Sequence, residues 1–111
     1  MSEDGFYVVT ATTDLAPGDQ MHVELDGEDI LLCNYRGKFY AVSYYCTHAF
    51  MPLEGGYLED GCVSCPYHGA VFSLADGSVQ MPPANGGLKI FPVRVEDDTV
   101  AVSATPLNDP A

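Results

Sequence analysis

The chain has 111 residues, 47% of them apolar, with seven Tyr and five Phe. That is enough for one compact domain with a modest core, and it excludes a disordered polypeptide. Sixteen Asp and Glu against four Lys and Arg give a formal net charge of −12, which excludes nucleic acid and anionic membranes as natural partners. No apolar run approaches the ~20 residues needed to cross a bilayer, and the acidic start MSEDGFYVVT has neither the basic region nor the long apolar stretch of a signal peptide. A cytoplasmic location is therefore expected; the protein is also expected to be a monomer. In that reducing compartment, clustered cysteines point to metal ligation or redox chemistry before disulfides.

In chain order, short stretches rich in β-branched and aromatic residues predict strands over Phe6–Thr12, Met21–Leu25, Ile30–Tyr35 and Phe39–Tyr44, read together as an antiparallel meander. Asp26-Gly27 and Arg36-Gly37 mark turns between them. Further strands are predicted over Val71–Leu74, Ser78–Met81, Leu88–Val95 and Thr99–Ala104, with turns at Asp76-Gly77 and Glu96-Asp97-Asp98. No segment carries a helical apolar stripe over three turns. The tail from Thr105, with two Pro, is expected to fray. The pattern predicts an all-β protein: an antiparallel scaffold of residues 1–44 and 70–111, interrupted by a loop-built insert over 45–69.

That insert is rich in Gly and Pro (Pro52, Gly55-Gly56, Gly61, Pro66) and holds three of the four Cys and two of the three His. The soft donors form two short pincers, Cys46-Thr47-His48 and Cys65-Pro66-Tyr67-His68, with sixteen residues between them. Loops of this kind let ligands converge from two directions while backbone N–H groups come close to an ion. A structural zinc site is the obvious competitor, but it ordinarily pairs C-x2-4-C with H-x3-5-H, whereas each pincer here supplies one donor of each type. If Cys46 and Cys65 bind one metal and His48 and His68 the other, the pincers suit a binuclear cluster with unlike irons, the arrangement of the Rieske [2Fe-2S] centre.

CTH at 46–48 and CPYHGA at 65–70 resemble the two ligand boxes of Rieske proteins. The resemblance extends through LEGGYLEDG, the Asp76-Gly77 turn and the closing PPANGGLKIFPVRVEDDTVAV, nearly the whole chain. It implies the Rieske fold, an antiparallel β-sandwich carrying a loop-rich cluster-binding subdomain, with one [2Fe-2S] cluster. By the same resemblance Cys46 and Cys65 hold the inner iron and His48 and His68 the outer, more exposed one. It also places the proline-rich loop at Met81-Pro82-Pro83 against the cluster.

High-potential members of the family carry a disulfide at the positions of Met51 and Tyr67, and a Ser and a Tyr hydroxyl where this chain has Ala70 and Phe72. Losing hydrogen bonds to sulfur disfavours the added electron, so a potential toward the low end of the ~−150 to +300 mV Rieske range is expected. That pattern resembles the soluble ferredoxins of bacterial aromatic-ring-hydroxylating dioxygenases, and implies a flavin-containing reductase and a terminal Rieske non-haem iron oxygenase as partners. The chain is expected not to be an enzyme itself: with His48 and His68 committed, His22 alone cannot build a 2-His-1-carboxylate site. Competing readings are the Rieske-type small subunit of another oxidoreductase, such as nitrite reductase, and a Cys2His2 zinc module. Cys62 reads as a small packing residue, Cys33 as a buried hydrophobe and His22 as an exposed strand residue.

Overall fold

The computed structural model describes residues 5–45, 52–66, 69–81 and 87–108. The strands among these residues form three antiparallel sheets. The first joins β1 (Phe6–Ala11), β11 (Thr99–Ser103) and β10 (Val93–Glu96), in the order β1-β11-β10. The second has the order β2-β3-β4-β9, from Gln20–Leu25, Glu28–Tyr35, Lys38–Ser43 and Ile90–Phe91. The third and smallest has the order β5-β6-β7-β8, from Leu58–Glu59, Cys62–Ser64, Val71–Ser73 and Val79–Met81.

Four hairpins close with two residues at positive φ: Asp26-Gly27, Arg36-Gly37, Asp60-Gly61 and Asp97-Asp98. This turn geometry matches the right-handed twist of the flanking strands, and Asp and Gly tolerate it. Asn34 anchors the second hairpin from inside. It is buried, donates to the Leu15 carbonyl at 2.8 Å and accepts from Gly37 N–H at 2.8 Å.

β3 is buried without alternation from Ile30 to Asn34 because its sheet is covered on both faces. Ile30 and Leu32 face one side, packed with Val23, Ala41, Phe91, Val100 and Val102 against the first sheet. Leu31 and Cys33 face the other, packed with Val42, Leu53, Val63, Cys65 and Phe72 of the insert side. The central sheet thus supports the first sheet on one face and the 45–69 insert on the other.

The strand expectations need three corrections. β1 does not join a meander with β2; it pairs with β11, so the two ends of the chain close one sheet. The stretch Leu88–Val95 is not one strand. It breaks at Pro92, which has no N–H for a ladder, and the chain passes there from β9, paired with β4, to β10, paired with β11. Nor does the tail fray through residue 108: Leu107 N–H donates to the Ile90 carbonyl at 2.8 Å, Asn108 Oδ1 accepts from Ile90 N–H at 2.8 Å, and Asn108 Nδ2 donates to the Leu88 carbonyl at 2.9 Å. The small sheet also runs from Leu58 to Met81, through the point near residue 70 where composition alone divides insert from scaffold.

Candidate metal centre

Of the four expected ligands, Cys65 is described; Cys46, His48 and His68 lie outside the described residues, as do Met51, Tyr67, Pro82 and Pro83. Cys65 follows β6 directly and is buried at 2% exposure among Leu53, Ala70 and Phe72. It forms no disulfide, and neither does Cys33 or Cys62.

Both boxes sit on chain segments whose ends are fastened together. Tyr45 forms a bridge with Pro52, and Leu53 N–H donates to the Tyr44 carbonyl at 2.7 Å, so the chain enters and leaves the first box at one place. For the second box, Cys65 N–H donates to the Ala70 carbonyl at 2.7 Å and Gly69 N–H to the Cys65 carbonyl at 3.0 Å. Gly69 takes a φ of +75°, which lets the chain reverse there without a Cβ penalty.

The two fastenings are themselves joined. Gly56 lies so close to Ser64, the residue before Cys65, that a Cβ on Gly56 would fall on the Ser64 carbonyl oxygen. Tyr57 N–H donates to Ser64 Oγ at 3.0 Å, and Ser64 N–H to the Tyr57 carbonyl at 2.9 Å. On the other flank of this segment, the Gln20 side chain accepts from Gly55 N–H at 2.9 Å and donates to the Gly56 carbonyl at 2.7 Å. Tyr44 donates its hydroxyl to Glu54 at 2.7 Å, spanning the first box from before to after. That bond, with burial and nearby negative charge, pushes the Tyr44 hydroxyl up to about 12. Sequence reasoning passed over Gln20, Gly56 and the Tyr44–Glu54 pair. Gly55-Gly56 registered only as loop composition, and the contacts that matter join residues far apart in the chain.

The donor chemistry around Cys65 fits an iron–sulfur cluster. The Cys65 sulfur is buried in an apolar shell, on a loop shaped by backbone hydrogen bonds, with no disulfide among the described residues to compete for it. Ala70 and Phe72, both fully buried, line the same core and bring no hydroxyl to it. Among the described residues no three His, Cys, Asp or Glu gather to hold a metal. His22, exposed as expected, is nonetheless partnered: its Nε2 lies 2.9 Å from Asp29 and its ring stacks on Tyr44 at 3.9 Å.

Cys33 is the buried hydrophobe it was expected to be, and burial pushes its thiol from 9.0 up to about 12. Cys62 departs from expectation. It is half-buried and lines an open groove of about 380 Å³, with Tyr57, Val71, Glu59 and Asp60, on the small sheet. Desolvation, then the charges of Asp60 and Asp76, raise its thiol.

The fold sets two fastened loops beside each other on a β scaffold, with a buried cysteine at the start of one. Residues 5–92 match the family described as the Rieske [2Fe-2S] domain, and the chain belongs to that family. It is 40% identical, over 85% of its length and 88% of the relative's, to the ferredoxin component of biphenyl 2,3-dioxygenase from Rhodococcus jostii RHA1. To the biphenyl dioxygenase ferredoxin subunit of Pseudomonas sp. KKS102 it is 34% identical, covering 87% and 90% of the two chains. Among solved structures it resembles a chain in the complex of reduced oxygenase and oxidized ferredoxin in carbazole 1,9a-dioxygenase. There the TM-score is 0.88 at 27% identity, over 95% of this chain and 98% of that one. No helix among the described residues is long and apolar enough to cross a membrane.

Proposed function

We propose that this protein is the electron-transfer ferredoxin of a multicomponent aromatic-ring-hydroxylating dioxygenase, acting in the cytoplasm as a monomer. It takes single electrons from a flavin-containing reductase and delivers them to a terminal Rieske non-haem iron oxygenase. The observation that carries this reading is the near full-length likeness to ferredoxin components of biphenyl dioxygenases. The family's cofactor, one Rieske-type [2Fe-2S] cluster, supplies a reversible one-electron couple when bound. We assign Cys46 and Cys65 to one iron and His48 and His68 to the other, within a single domain whose residues 45–69 bear the ligands. Leu53, Ala70 and Phe72 keep water from the Cys65 sulfur, and the absence of a hydroxyl at 70 and 72 favours a low potential.

Residues 45–81 carry four carboxylates (Glu54, Glu59, Asp60 and Asp76) and no Lys or Arg; the four basic residues, Arg36, Lys38, Lys89 and Arg94, all lie outside this stretch. A carrier must dock and leave quickly, so an acidic ligand-bearing end suits transient, charge-steered contact with basic patches.

The test is composition followed by turnover. Purified protein should be red-brown and contain two irons and two acid-labile sulfides per chain. It should accept one electron from the flavin reductase and reoxidise with the oxygenase. One zinc per chain with no labile sulfide would overturn the assignment.

A further inference from the structure

We propose that Gln20, a scaffold residue outside both ligand boxes, is a positioning residue that sets the separation of the boxes and hence the geometry of the cluster. This rests on the reading above that the boxes hold a cluster. Gln20 pairs with Cys33 in the β2–β3 ladder, so its side chain lies on the sheet face that packs against the insert. There its amide clamps a turn at both of its ends. The amide oxygen takes Gly55 N–H and the amide nitrogen gives to the Gly56 carbonyl, at 2.9 and 2.7 Å, so one side chain holds two successive residues.

The clamped segment has no slack on its other flank. Gly56 presses on the Ser64 carbonyl, Tyr57 and Ser64 exchange hydrogen bonds, and Gly56 N–H closes the turn to the Leu53 carbonyl at 3.0 Å. A continuous line therefore runs from the edge strand of the central sheet through Gln20, residues 55–57 and Ser64 to Cys65. The same segment begins at Leu53 and Glu54, where the first box is fastened to Tyr44. The Gln20 amide thus ties to the edge strand the segment that joins the two boxes, in addition to the Tyr44 and Tyr45 contacts of the first. Only an amide supplies a donor and an acceptor side by side at neutral pH; a carboxylate has lost the donor and an alkyl chain has neither.

The experiment compares full-length wild type with Gln20→Leu and Gln20→Glu. It measures hydrogen exchange at individual amides, the half-life of the cluster chromophore in air, and the width of the EPR signal of the reduced protein. Two net hydrogen bonds lost in Gln20→Leu should speed exchange at Gly55 and neighbours of 53–57 about five- to tenfold and shorten the chromophore half-life by a similar factor. The EPR signal should broaden, while exchange in β3 and β11 stays at the wild-type rate. Gln20→Glu keeps the acceptor for Gly55 and should fall between the two, which also serves if Gln20→Leu does not fold. Wild-type exchange, half-life and linewidth in the substituted proteins would overturn the clamp, and so would a uniform loss of protection over all strands. A wild type without iron and sulfide, whose Gly55 exchange still responds to Gln20→Leu, would overturn the cluster reading and leave the clamp standing.

Discussion

The two faces of the central sheet support regions held together by different means. On the scaffold side, β2 and β3 share six paired positions, β3 and β4 another six, and aliphatic side chains fill the space to the first sheet. On the insert side an apolar cluster is buried too, with Leu53, Val63, Phe72 and Leu74 in it, but the ladders are short: β5–β6 share two pairs and β6–β7 three, and the loops are joined by a few hydrogen bonds from Gln20, Tyr44 and Ser64 and by a glycine backbone in contact with a carbonyl. A region paired along long strands tolerates the loss of one contact. A region whose loops are joined by a few directed bonds loses more with each of them, unless a bound metal holds it in place.

The largest effect expected from that contrast is total loss of cofactor with retention of fold. His48→Ala or His68→Ala should be colourless or lose colour within the preparation, while far-UV circular dichroism keeps the strand signal of the scaffold. His22→Ala, which touches Asp29 and Tyr44 only at the surface, should retain its iron and sulfide. A stable red His68→Ala protein would break the ligand assignment.

Glycines sharpen the comparison next. Gly56→Ala drives a methyl into the Ser64 carbonyl and should cost about 3 kcal/mol or abolish cluster loading. Gly18→Ala, at a φ of +93° but facing open space, should cost only about 1 kcal/mol. Thermal melts of both, with iron content, test this; equal shifts would mean that the insert is no more tightly specified than a scaffold turn.

A hydroxyl restored beside the buried sulfur comes third. Cys65 N–H is bonded to the Ala70 carbonyl, which puts position 70 next to Cys65 in space. Ala70→Ser, with or without Phe72→Tyr, should raise the reduction potential, where about 60 mV is a tenfold change in a one-electron equilibrium. Voltammetry showing no rise in a variant whose new hydroxyl reaches sulfur would remove the explanation of a low potential. Docking should be affected more mildly: the second-order rate of reduction should fall several-fold between about 10 and 150 mM salt, as the Debye length contracts from ~30 to ~8 Å. A flat salt profile would assign the acidic insert to solubility alone.

The smallest effect separates the thiols. Cys33 should resist alkylation until the protein unfolds, whereas Cys62 should react slowly in the native state, faster as pH rises. For Cys33 the folded value of about 12 exceeds the ordinary 9.0. The neutral thiol is therefore favoured by folding, and the associated stability is full below pH 9 and lost as pH climbs toward 12. Alkylation of Cys33 at the rate of Cys62 would place it outside the core.

Most of the β architecture was legible in the sequence because it depends on local chemistry. Asp26-Gly27, Arg36-Gly37 and Asp97-Asp98 carry residues that accept positive φ, and the runs around them alternate or are continuously apolar according to whether one face or two are covered. Family membership was legible for a related reason: a metal cluster needs particular donor atoms at close spacing, and CTH and CPYHGA state both in a few letters. Cys33 could be read as core from its apolar neighbours. Cys62 could not be placed, because whether a residue on a short strand faces a core or a groove depends on what packs against that strand.

What only the tertiary structure decided is pairing between distant residues. No local pattern marks β1 as the partner of β11, Asn108 as the residue that ties down the tail, or Gln20 as the amide that meets Gly55 and Gly56. An isolated Gln reads as an ordinary polar strand residue, and Gly-Gly as an ordinary loop. Side-chain type and local spacing are written along the chain, so the sequence by itself determined most of the strands, the turns and the family. Register between elements and the approach of one backbone to another are settled only when two faces of one sheet are covered at once, which is a property of the packed molecule.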